Sequence, residues 1–475
     1  MPQHLTRRSF LAGCATVGVT ANLPALPAWA ESPQRKLIVG RRTIEVLGKS
    51  AQVYGLTSAS GGHGLVLDPG ERFGVSLENT LNEETSIHWH GMTPAPEFDG
   101  ISETGYVAPL GSGETRSFDF IARPGTHWMH SHYGLQEQAL LTAPLIVREP
   151  GSADAQEVTL LLNDFTFRDP GEILGGLTGQ SGMGHGGMGH GGISGMDHSM
   201  MGGGMMDGMD LNDVEYDAFL ANDRTLEDPE VVRVEKNGRV RLRIINGAAS
   251  TAFWIDLHGH KATVLAVDGN PVAPIVGSRF PLAQAQRIDL LIDVPTGSAV
   301  PVFARREGDA ARTGIILAAP GAAIEKFAGL ADEAEVAVDL SLEQQLVALA
   351  PPSSRPVDTS LMVMLGGAMA PYSWTLNDRT WEERLRLEVR SGQRVSLGFM
   401  NHSMMAHPMH LHGHHFQVVG INGRRVAGAV RDTVLVPPMA TVTVEFDADN
   451  PGRWLYHCHN LYHMAAGMMS ELVYI

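Results

Sequence analysis

The chain has 475 residues, 43% of them apolar and 6% aromatic, with 54 glycines, 27 prolines and a formal net charge of −17. That length exceeds a single hydrophobic core and implies two to four domains, and frequent turn formers without a long helical pattern point to β-rich structure. The acidic balance argues against nucleic acid and anionic lipid surfaces as partners.

The chain opens with an export pattern. Residues 6–30 read TRRSFLAGCATVGVTANLPALPAWA. The Arg7-Arg8 pair, a mildly apolar stretch and the Ala28-Trp29-Ala30 end are the three parts of a secretory signal, here of twin-arginine type. Leu11-Ala12-Gly13-Cys14 resembles a lipoprotein cleavage box, but no apolar region separates it from the arginines, so cleavage after Ala30 is expected. The expectation is a periplasmic protein carried out folded by the twin-arginine machinery. No other segment reaches the roughly 20 apolar residues of a membrane span. Removing residues 1–30 also removes Cys14, which leaves Cys458 alone. Without a disulfide partner it is buried and inert, intermolecular or held by a metal.

Self-comparison gives the architecture. Asn222-Asp223-Arg224-Thr225 recurs as Asn377-Asp378-Arg379-Thr380, and LHGHKATVLAVDG from Leu257 matches LHGHHFQVVGING from Leu411. The segments RFGVSLEN (from Arg72), RVRLRIIN (from Arg239) and RVSLGFMN (from Arg394) alternate with period two, as half-buried strands do. These copies predict an all-β chain of three Greek-key β-sandwich domains at residues 37–150, 156–320 and 335–475. With three domains in one chain, a monomer is the default.

Residues 181–210 fit no domain. They hold eight Met, three His and twelve Gly, with Met-Gly-His-Gly-Gly twice in tandem. Glycine at that density does not pack a core, so the segment reads as a flexible insertion. Its thioethers and imidazoles, from Met183, His185, Met188, His190, Met196, His198, Met200, Met201, Met205, Met206 and Met209, are soft donors suited to auxiliary, labile Cu(I) binding.

Four His-x-His pairs follow in HWHG (His88, His90), MHSHYG (His130, His132), HPMHLHG (His410, His412) and HCH (His457, His459). In a strand, residues two apart share a face about 6.6 Å apart, so each pair can reach into one cavity. Eight imidazoles exceed the needs of one ion. The same period turns Cys458 to the opposite face, toward a separate site. His407, His463 and Met468 are candidates to join it, and two His, one Cys and a weak axial Met are the donors of a blue-copper electron-transfer centre.

HWHG, GTHWMHSHYGLQEQ, HPMHLHG and HCHNLYHMAAGM resemble the four copper signatures of the multicopper oxidases, and the triple repeat resembles their three cupredoxin domains. The likeness covers essentially the whole chain after the signal, and the twin-arginine start resembles the bacterial copper-resistance branch. It implies four copper ions. A type 1 copper would take His407, Cys458, His463 and Met468, a type 2 copper His88 and His410, and a type 3 pair His90, His130, His132, His412, His457 and His459. Electrons from a substrate would pass through Cys458 to His457 and His459, and O2 would be reduced to water. Asp99 in EFDG matches the family's proton-supplying acid, with a plain turn residue as the other reading. Met464 stands where some relatives place a second acid.

His258 and His260 read as relics of the repeat, and His127, His414 and His415 as packing or hydrogen-bonding residues. Met404, Met405, Met409 and Met469 read equally as core or as a Cu(I) approach. The insertion favours Cu(I) as the electron donor, in copper tolerance. A laccase acting on phenols, with the insertion as a lid, is the alternative, and a non-catalytic copper-binding protein would be expected to lack ligands that this chain has. A nitrite reductase would not need His on both sides of the cysteine.

Overall fold

In the strand Arg239–Asn246, Val240, Leu242 and Ile244 have no exposed surface. Its counterpart Arg394–Asn401 buries Val395, Leu397 and Phe399 in the same way. Such alternation gives each sheet one apolar face to press against a second sheet. The structure, a computed structural model, describes residues 34–151, 154–179, 211–235 and 238–475. The expected signal at residues 1–30 and the insertion at 181–210 therefore lie outside the described residues.

Six sheets form three pairs along the chain: two of four strands, then six with five, then seven with five. The repeat has a topological counterpart. Arg35–Val46 lies parallel to Arg72–Asn79, Gln156–Phe165 to Arg239–Asn246, and Thr359–Met369 to Arg394–Asn401. In each case the second strand then pairs antiparallel with a later one, Thr115–Ile121, Arg287–Asp293 or Thr441–Asp447. The chain is all-β, built as three cupredoxin-like sandwiches, and the described helices Pro170–Leu177 and Leu461–Ala465 are short. No helix among the described residues is long and apolar enough to cross a membrane.

Candidate metal centres

Register brings the histidines together. In the first sandwich the strand Ile87–His90 pairs with Gly125–Ser131 so that His88 stands opposite His130. In the third, His407–Leu411 pairs with Arg453–Cys458, which puts His410 opposite His457 and Met409 opposite Cys458. His132, His412 and His459 follow directly on their strands. The histidines of the two sheets meet at these strands. His88 Nε2 lies 3.4 Å from His410 Nε2, and His457 Nε2 lies 3.0 Å from His412 Nε2 and 3.5 Å from His132 Nε2. The rings of His90, His130 and His459 gather beside them with centroids 4.9–5.6 Å apart. All eight are at most 3% exposed.

The other nitrogen of each ring is committed outward. His412 Nδ1 donates to Asp99 Oδ2 (2.9 Å), His132 Nδ1 to Glu103 Oε1 (2.9 Å), His410 Nδ1 to the Asp432 carbonyl (2.8 Å) and His457 Nδ1 to the Cys458 carbonyl (2.9 Å). His90 Nε2 donates to Asp432 Oδ1 (3.0 Å), and His130 Nδ1 meets Glu137 Oε2 at 2.7 Å. His88 Nδ1 faces the Asp99 carbonyl at 3.3 Å, and His459 Nδ1 faces Glu137 at 3.9 Å. A neutral imidazole that donates from one nitrogen carries a lone pair on the other. Inward lone pairs therefore face one another at about hydrogen-bond distance without a proton between them. Burial, with neighbouring charges adding to it, lowers His90, His130, His410 and His457 well below the ordinary imidazole value, whereas at His132 burial is outweighed by the Glu103 carboxylate, which raises it. His90 Nδ1, His130 Nε2 and His459 Nε2 have no hydrogen-bond partner. Buried acceptors left in this way are what a cation satisfies, and neutral imidazole suits copper.

The second set lies on the far side of the same strand. Cys458 Sγ is 3.6 Å from Nδ1 of His407 and 3.6 Å from Nδ1 of His463, and those two nitrogens are 3.1 Å apart. His463 is aimed by the short helix Leu461–Ala465, whose N-cap Asn460 accepts from the backbone N–H groups of Tyr462 and His463. Met468 has no exposed surface, and its backbone bonds to Cys458 and His463. Burial pushes the Cys458 thiol up, and a coordinating cation is what deprotonates such a thiol. Trp374 lies over the His463 ring at 4.1 Å and closes the set from above.

Asp99 is 1% exposed and reaches both His88 and His412. Burial alone would raise its pKa, but those two histidines outweigh burial and hold the carboxyl well below the usual range. Gly100 makes this possible: its φ is +86°, and a Cβ there would collide with the Ile87 carbonyl. Gly100→Ala is expected to destabilise the fold by about 1–3 kcal/mol through the left-handed backbone alone, and thermal unfolding checks it.

Four acidic groups and one arginine at these centres have no role in the sequence reading, although Glu137 lies inside GTHWMHSHYGLQEQ. Glu137, 3% exposed, stands between His130 and His459, and burial, with Asp164 nearby, pushes its carboxyl well above the ordinary value. Glu103 holds His132, and Asp432 holds His90 and His410. Arg287, from the second sandwich, donates to Asp432 Oδ1 at 2.7 Å and also pairs with Asp432 Oδ2. Asp213 Oδ2 lies 3.1 Å from His463 Nε2 and accepts from Asn460 Nδ2 at 2.7 Å. Burial would raise Asp213 too, and His463 with Asn460 reverses this. In the sequence Asp213 lies three residues beyond the Met/His-rich insertion, and Glu137 lies within GTHWMHSHYGLQEQ, five residues beyond His132.

Other histidines take structural contacts. His414 bonds Tyr474 Oη (2.6 Å), His415 bonds Asn270 (3.0 Å), and His127 bonds the Pro124 carbonyl (3.3 Å). His258 packs edge-on against Phe303. Met405, Met409 and Met469 are buried in the core, whereas Met404 is 60% exposed.

A three-sandwich β protein with a buried eight-histidine cluster linked through one cysteine to a second soft-donor set is a copper-type oxidoreductase in its construction. Family models described as multicopper oxidase match residues 38–152, 192–313 and 354–475. Multicopper oxidase MmcO of Mycobacterium tuberculosis is 36% identical over 422 residues, covering 86% of this chain and 80% of that protein. Copper resistance protein A of Escherichia coli is 26% identical, covering 98% of each. The solved laccase of Botrytis aclada shares the fold, with a TM-score of 0.74 at 21% identity over 93% of this chain and 88% of that one. The chain belongs to the multicopper oxidases, enzymes with copper cofactors.

Proposed function

We propose that this enzyme couples one-electron oxidation of Cu(I) to reduction of O2 to water, using four copper ions. His407, Cys458, His463 and Met468 would hold the type 1 ion, His88 and His410 the type 2 ion, and His90, His130, His132, His412, His457 and His459 the type 3 pair. Copper bound there supplies single-electron redox chemistry and O2 binding. The chain supplies the rest. Cys458 joins the two sets covalently, because its sulfur belongs to one and its sequence neighbours His457 and His459 to the other. The hydrogen bond from His457 Nδ1 to the Cys458 carbonyl shortens that connection. Asp99 fixes His88 and His412 together and is the carboxylate we assign to relaying protons toward the cluster. Three domains at residues 37–150, 156–320 and 335–475, a monomer, and twin-arginine export to the periplasm complete the reading.

The observation that carries the cuprous substrate is where the insertion is anchored. On one side of residues 181–210, Ile173, Leu174 and Leu177 of the helix Pro170–Leu177 pack in the same core as Cys458 and Met468. On the other side Asp213 contacts His463 directly. The two described flanks of the segment thus both lie beside the electron-entry set, which supports a role for its soft donors in delivering Cu(I). Deletion of residues 181–210 is expected to lower kcat/KM for Cu(I) while phenol oxidation holds. Equal loss of both, or no loss of Cu(I) oxidation, would instead favour a laccase, a reading the Botrytis relative keeps in view. A second expected result concerns charge. Asp213→Asn removes an anion that favours the oxidised, more positive centre, so its reduction potential should rise on the order of tens of millivolts, read by redox titration of the blue absorption.

A further inference from the structure

The outer face of the third sandwich carries a group of side chains that the copper centres do not use. Thr359–Met369 runs parallel to Arg394–Asn401, which pairs with Thr441–Asp447. Val363, Leu365, Val395, Leu397, Phe399 and Val442 face the core, each at most 1% exposed. The opposite face is polar, with Ser396, Thr441, Thr443 and Glu445 partly exposed. Met362, Met364 and Met400 interrupt it. Register sets Met364 directly beside Met400, and Met362 beside Gly398. Met362 is 50% exposed, and Met364 and Met400 are half-buried.

Gly398 shows where one of these thioethers lies. A Cβ built on it would fall 2.8 Å from Met362 Sδ and 2.7 Å from Met362 Cε. The Met362 side chain is therefore folded across the glycine, toward the strand that carries Met400, and not extended into water. Neighbouring strands are about 4.8 Å apart and same-face residues about 6.6 Å apart. Three flexible thioethers on such a grid can converge on one ion.

The other two copies of this strand are an internal control. Where the third has Met400, the first has Glu78, which pairs with Lys36 of the adjacent strand. At the positions of Met362, Met364 and Met400 the second has Thr159, Leu161 and Ile245, of which Leu161 and Ile245 are buried. The first copy puts a cross-strand ion pair at these positions and the second a buried apolar pair, where the third puts partly exposed soft donors. Thioethers select Cu(I) over hard divalent ions. The strand also leads to the electron-entry set: past Asn401, Ser403 Oγ lies 2.7 Å from His407 Nε2.

We propose that Met362, Met364 and Met400 form a thioether seat for Cu(I), a holding site for cuprous ion on the outer face of the third sandwich. Its role as a substrate station rests on the cuprous reading above, but the seat itself uses no residue of the insertion. The test is a titration of anaerobic, fully reduced, copper-loaded protein, labelled with 13C at the methionine methyls, with Cu(I) supplied as its acetonitrile complex. The Met362, Met364 and Met400 methyl signals, assigned through single Leu variants, are expected to move together and saturate. Loss of one donor should weaken that response by roughly tenfold. Signals that stay still while other methionines respond would overturn the seat. In steady-state assays the Met362→Leu, Met364→Leu, Met400→Leu triple variant is expected to raise KM for Cu(I) with kcat and phenol oxidation unchanged. A parallel loss of phenol oxidation would mark a structural role and overturn it. The cuprous reading fails separately, if deletion of residues 181–210 leaves Cu(I) oxidation intact while the seat still titrates.

Discussion

Cys458→Ser is expected to abolish the blue absorption and to lower O2 consumption by about 10³-fold or more with either Cu(I) or a phenol, because the residues on the route act as a unit. The hydroxyl is close to isosteric, and the site has no exposed surface, so the fold should survive. What is lost is the soft donor between His407 and His463 and the covalent link from it to His457 and His459. Copper at the eight-histidine cluster should remain, because none of its donors is the sulfur. Metal analysis and absorption spectroscopy of the variant read both halves at once. A variant that kept the blue band would place the electron-entry site elsewhere.

The second large effect is expected away from any ligand. Arg287→Met leaves Asp432 buried beside His90 and His410 without its guanidinium partner. Removing one member of a buried pair costs about 3–5 kcal/mol, because the other charge is left unpaired. The cost here should reach the metal centre as well, since Asp432 orients two cluster histidines. The pair is one link in a buried run from Glu343 through Arg431, Asp268 and Arg287 to Asp432. Arg287 and Asp268 belong to the second sandwich, which thereby steadies a cluster whose histidines all come from the other two. Lower thermal stability of the metal-free protein, together with reduced copper at the cluster, is the expected outcome. Unchanged copper loading would mean that Asp432 holds its histidines unaided.

The histidine pairs and the cysteine were legible in the sequence because period two turns spacing directly into a shared face. The repeat was legible because the Asn-Asp-Arg-Thr and Leu-His-Gly-His segments recur almost letter for letter. Asp99 could be named from its place in EFDG, but not its grip on both His88 and His412, which needs two sandwiches to meet. Asp432, Arg287 and Asp213 act across sandwiches in the same way, whereas Glu137 lies within GTHWMHSHYGLQEQ and contacts His130 of its own sandwich. Arg287 and Asp432 are 145 residues apart, and no local pattern marks either. At Met464, where some relatives place a second acid, the side chain packs with Ile101, Leu455 and Met469. That position is apolar in its surroundings as well as its chemistry, and Glu137 is a further buried acid beside the cluster, with Asp99 and Asp432. The outward methionines at Met362 and Met364 carried no signal until register set them beside Met400.

The stoichiometry of O2 consumption by the copper-loaded protein under limiting Cu(I) tests the central claim, two copper centres joined through Cys458, most directly. The expected result is one O2 taken up for every four Cu(I) oxidised, with water as the product and no hydrogen peroxide released. Peroxide accumulating with one O2 for every two Cu(I), or no enzyme-dependent uptake at full copper loading, would contradict it.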